Sequence, residues 1–80
     1  MNPPHITSNG DPNVWSVVAI VSGHTYIFRW ALGHFAEVIQ TMVDFANDPN
    51  HVFGTREAKK LSMCVMRHEE IMENGGYKEG

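Results

Sequence analysis

Six lysines and arginines against nine aspartates and glutamates in eighty residues, a formal net charge of −3, describe one small domain and argue against a general nucleic-acid binder. The single cysteine, Cys64, rules out an intramolecular disulfide, one of the devices by which domains of this size are often stabilised. Only about 60 % of an unfolded chain's surface is buried on folding at this size, so tight packing, a metal or a partner subunit has to supply the remaining stability.

The first positively charged side chain is Arg29, so the basic start of a secretory signal is missing. The apolar runs also fall short of the ~20 residues a spanning helix needs. Together these predict a soluble, cytoplasmic protein.

Residues 1–13 carry Pro3, Pro4, Gly10 and Pro12 among Asn, Thr, Ser and Asp, a composition that buries too little to offset its ordering entropy. A flexible N-terminal tail is expected there, with turn chemistry at Asn9-Gly10-Asp11-Pro12.

Residues 14–21 and 25–30 are β-branched and aromatic runs hinged at Ser22-Gly23-His24, and they read as a β-hairpin. The tight turn is either Ser22-Gly23 or Gly23-His24, since Gly supplies the positive φ of either primed turn. In both registers Trp15, Val17, Ala19 and Val21 share a face with Tyr26, Phe28 and Trp30. The other face, with Val14, Ser16, Val18, Ile20, Thr25, Ile27 and Arg29, is too apolar to be an ordinary wet face.

After Trp30 the period changes to 3.6. Leu32, Phe35, Ala36, Ile39, Met42, Val43 and Ala46 form a helical stripe that Val38 and Phe45 widen on one flank. That helix should end near Asn47-Asp48-Pro49. A second helix is expected from an N-cap at Thr55, with Phe53 packing back on its first turn, to about Asn74 and a left-handed cap at Gly75-Gly76. Its stripe is Ala58, Leu61, Cys64, Val65, His68, Ile71 and Met72.

The expected architecture is α+β: an antiparallel hairpin followed by two antiparallel helices, ββαα, packed on the aromatic sheet face. The domain spans 14–74, with a flexible tail over 75–80. The expected core is Trp15, Val17, Phe28, Trp30, Phe35, Ile39, Met42, Val43, Leu61 and Val65, and Phe35→Ala is expected to leave the chain largely unfolded.

The charges of the second helix oppose its dipole. Arg56, Lys59 and Lys60 open it, while Glu69, Glu70 and Glu73 close it. Antiparallel packing would set the basic end beside Asp44 and Asp48, and the competing use of Arg56, Lys59 and Lys60 is contact with an anionic partner.

Candidate chemistry is sparse. Cys64, His68 and Met72 recur at i, i+4, i+8, a soft ligand set for Cu(I) or zinc, yet no second cysteine completes a tetrahedral site and a buried thiol with a hydrogen-bonded histidine accounts for them better. His34, Glu37, Thr41 and Asp44 line one helix flank as a solvated face does. Ser22-Gly23-His24 is explained by the turn. No phosphate loop, H-E-x-x-H or G-x-S-x-G occurs, so no enzyme activity and no cofactor are expected.

Two classes of function follow. A homodimeric protein–protein interaction module with an accessory role is suggested by apolar side chains beyond the needs of a core: Val18, Ile20, Ile27, Val38, Phe45, Met63 and Met66. From Thr25 onward, moreover, the order strand, helix, loop, helix is similar to the ribbon-helix-helix repressors, and Phe53-Gly54-Thr55-Arg56-Glu57 resembles their loop and second-helix start. That resemblance implies dimerisation by strand pairing, with the ribbon in the DNA major groove. Thr25 and Arg29 would then be the polar readers beside Ile27, with Arg56 and Lys60 on phosphate. The extra strand before Thr25 departs from the family's pattern.

Overall fold

A computed structural model describes the chain over residues 4–8 and 10–76. Its elements run β1 (His5–Ser8), β2 (Val14–Val21), β3 (His24–Ala31), α1 (Phe35–Ala46) and α2 (Thr55–Glu73). The fold is α+β, with a three-stranded antiparallel sheet ordered β1-β2-β3.

The hairpin turns at Ser22-Gly23. Both residues have positive φ, 51° and 83°, as a type I′ turn requires, and Val21 pairs with His24. The register brings Val17 opposite Phe28 and Trp15 opposite Trp30. Val17, Ala19, Val21, Phe28 and Trp30 are buried, and Trp15 and Tyr26 are half-buried against the same core.

The sequence predicted two strands; a third is present. Within the stretch expected to be a loose tail, His5–Ser8 pairs antiparallel with β2, Ile6 opposite Val17 and Ser8 opposite Trp15. Its polar composition hides the signal, but Ile6 points to the core side and the pairing satisfies the second edge of β2. The chain returns through a turn at Asp11. The Asn13 amide donates to Asp11 Oδ1 (2.8 Å) and the Val14 amide to Asp11 O (3.1 Å).

Helix α1 begins at Phe35, so Leu32, expected on its apolar stripe, lies ahead of it. Leu32 and Gly33 form a turn instead, in which His34 N–H donates to Ala31 O at 2.9 Å and Gly33 adopts φ +87°. The buried stripe is also rotated from the predicted one. Val38 and Met42 are buried with Phe35, Ile39, Phe45 and Ala46 packed beside them, while Val43 is 40 % exposed and Ala36 is exposed. Aromatic packing accounts for the rotation: the Phe45 ring meets Phe28 at 5.4 Å, edge to face, and turns Val43 out. Val38, expected on a contact surface, therefore lies in the core, and Phe45 is half-buried against it.

Gly54, not Thr55, caps α2, and Glu57 Oε1 accepts from the Gly54 amide at 3.1 Å. Phe53 precedes the cap and is 1 % exposed. The far end closes as expected, with Gly76 N–H donating to Ile71 O (2.9 Å) and Gly75 N–H to Met72 O (3.3 Å). The rest of the expected C-terminal tail, 77–80, lies outside the described residues.

Helix α1 lies over β3 and α2 over β2, both on the aromatic face. They run antiparallel, since Glu69 near the end of α2 meets Gly33 ahead of α1. Ala58, Leu61, Val65 and His68 form the buried side of α2. No helix among the described residues is long and apolar enough to cross a membrane.

Candidate interaction surface

The pairing places Val18 beside Ile27, Ile20 beside Thr25 and Ser16 beside Arg29 on the sheet face turned away from both helices. No described helix lies across it. Ile27 is 63 % exposed and Val18 and Ile20 are half-buried, while Ser16 on the same face is 3 % exposed. Because a two-residue turn makes Val21 and His24 a hydrogen-bonded pair, Tyr26, Phe28 and Trp30 bond to β2. Thr25, Ile27 and Arg29 then direct their backbone groups to the free edge of β3. That edge carries no lysine, proline or bulge to blunt it.

A second apolar surface lies on the opposite layer. Met63 is 66 % and Met66 45 % exposed on the outer side of α2, with Arg56, Lys59 and Lys60 exposed toward one end and Glu70 and Glu73 toward the other. A shallow depression along this side includes Phe35 in its floor. Among the described residues the basic group forms no ion pair with α1. Asp44 accepts instead from Gln40 Nε2 at 3.0 Å, and Asp48 holds His51 Nε2 at 3.6 Å and the Asn50 amide at 2.9 Å.

The third feature is an internal one. His68 is 1 % exposed, with its imidazole 4.3 Å from the Trp15 ring and 5.7 Å from the Trp30 ring, both edge to face. Burial pushes its pKa below the usual 6.5, against an opposing pull from Glu69, and so favours the neutral ring. Glu69 in turn accepts from Trp30 Nε1 at 2.8 Å and from the Gly33 amide. Sequence spacing alone does not reveal Trp30 or Glu69 as neighbours of His68. The signal was there, in that a histidine on the buried stripe of α2 faces a sheet whose large side chains at that end are two tryptophans.

Cys64 and Met72 are half-buried while His68 turns to the indoles, and no group of three or more His, Cys, Asp or Glu among the described residues could hold a metal ion. His34 caps α1 and is exposed; Glu37, Thr41 and Asp44 are exposed too, with Thr41 Oγ1 donating to the Glu37 carbonyl at 3.0 Å. This is a solvated helix flank. No family model, curated protein or solved structure matches the chain.

Proposed function

We propose that the protein is a small homodimeric protein–protein interaction module, acting through association rather than catalysis. The observation that carries this is the exposure of apolar side chains on both layers, Met63 and Met66 on the outer side of α2 and Ile27 on the sheet face the helices leave open. Apolar side chains outside the core gain stability only when something covers them. His68, buried, packs against two indoles, which supports a structural role for it. A free, half-buried cysteine suits a reducing cytoplasm.

Reading DNA in the ribbon-helix-helix manner has less support. Arg29 is the one Lys or Arg on the strand that would enter the groove, in a chain of net charge −3. A salt series with random duplex DNA separates the two readings, because binding through phosphate weakens steeply with salt.

Sedimentation over about 1–300 µM, the range of weak association, tests the dimer. A mass rising toward twice the 9.0 kDa of the chain is expected. A species that stays at the chain mass throughout overturns the proposal.

A further inference from the structure

We infer that two copies pair through the outer side of α2, antiparallel, so that Arg56 and Lys59 of one copy meet Glu73 and Glu70 of the other around a centre of Met63 and Met66. The inference rests on the proposal that the protein self-associates and names the surface that does it.

Arg56, Lys59, Met63, Met66, Glu70 and Glu73 are all exposed, and their spacing alternates three and four residues, the seam of a two-helix coil. The seam lies away from Ala58, Leu61, Val65 and His68, which are buried, so α2 can hold its own core and a second helix at once. Laid antiparallel on a copy of itself, the seam matches without adjustment: Arg56 faces Glu73, Lys59 faces Glu70 and Met63 faces Met66. The two-fold axis repeats each pair. A parallel arrangement would set Arg56 on Arg56 and Glu70 on Glu70, so the charges choose the direction as well as the partner.

The charges opposing the helix dipole thereby acquire a role. Within one copy they form no ion pair among the described residues, with Asp44 and Asp48 occupied elsewhere. In the pair, the basic start of each helix lies beside the acidic end and the negative dipole terminus of the other. The open sheet face offers no such matching of charge, and so does not specify a second copy in the same way.

Six seam residues a side are few beside the roughly 20–30 of a standard interface. Lys60 and Arg67 along one flank bring like charges together, and exposed ion pairs are screened by salt. The pair is therefore weak, with a Kd on the order of 10–100 µM at low salt that rises as salt is added.

The test uses two full-length variants. Arg56→Glu with Lys59→Glu makes the seam wholly acidic at its ends, and Glu70→Lys with Glu73→Lys makes it wholly basic. Each change agrees with the helix dipole, so both variants should fold, which circular dichroism checks. Each alone is expected to lose self-association by at least about tenfold, and an equimolar mixture to form a heterodimer at least as tight as the wild-type pair. If the wild type dimerises and both variants dimerise equally well, or if Ile27→Lys abolishes the dimer while they do not, the α2 seam is wrong and self-association stands. If the variants do not complement each other, the seam is also wrong. A wild type that never dimerises removes both.

Discussion

Trp30 and Glu69, thirty-nine positions apart, are joined by a 2.8 Å hydrogen bond from the indole Nε1 to the carboxylate Oε1. The same carboxylate takes the Gly33 amide at 3.0 and 3.2 Å, so one side chain ties the last turns of α2 to both β3 and the turn that launches α1. Trp30 is 4 % exposed, and without Glu69 its indole N–H would lose its partner inside the protein. Glu69→Ala should cost about 1.5–3 kcal/mol by chemical denaturation. In a double-mutant cycle with Trp30→Phe the two losses should fall short of additive by about 1 kcal/mol, whereas full additivity would mean the bond contributes nothing.

His68 makes stability depend on pH with a definite sign. Burial lowers its folded pKa below 6.5, so between the folded value and 6.5 the unfolded chain binds more protons than the native one. The stabilisation from the neutral, indole-flanked ring is complete above about 6.5 and declines as pH falls through the lower folded value. The denaturation midpoint of the wild type should drop from pH 7 to pH 5 by more than that of His68→Gln. Parallel curves would show that the imidazole does not carry the effect.

Phe53 is expected to outweigh Phe35. Its ring lies 5.1 Å from Tyr26 and 5.4 Å from Phe28 and is almost wholly buried, whereas Phe35 is half-buried at the margin of the core. Phe53→Ala should cost about 3–5 kcal/mol, a large share of the ~5–15 kcal/mol that holds a domain together. Phe35→Ala should cost distinctly less and leave a cooperative thermal transition. Equal losses, or the reverse order, would place the centre of the core at the other end of α1.

Local periodicity made part of this architecture legible. Odd-summed pairing in either hairpin register put Trp15, Val17, Phe28 and Trp30 on one face, and both helix ends at Asn47 and Gly75-Gly76 follow from residue chemistry. What escaped depends on contacts between distant segments. β1 has one apolar residue of four, and its pairing is decided by the open edge of β2. The rotation of α1 is decided by rings on β3, not by the helix's own pattern, which sets Val43 on the stripe and Val38 on its flank. Phe53 sits in a connection between helices and shows its weight only where Tyr26 and Phe28 meet it. The exposed Ile27, Met63 and Met66 were readable as residues beyond the core's needs, but the seam on α2 required knowing which side of the helix was left free.

Ser22 distinguishes the two turns that the sequence alone left open. With φ 51° it occupies the left-handed region, which a side chain bearing a Cβ enters at a cost of roughly 1–2 kcal/mol and which Asn tolerates best after Gly. Ser22→Asn should therefore stabilise the protein by about 0.5 kcal/mol, and Ser22→Val, whose branched side chain resists that conformation, should destabilise it by about 1 kcal/mol or more. Were the turn at Gly23-His24, Ser22 would be the last residue of a strand and valine there would be neutral or favourable. The sign of the Ser22→Val change in urea midpoint thus reports the register directly. With it comes the pairing of Val18 with Ile27 and of Ile20 with Thr25, which only the Ser22-Gly23 turn produces, whereas the face those side chains share is the same in either register.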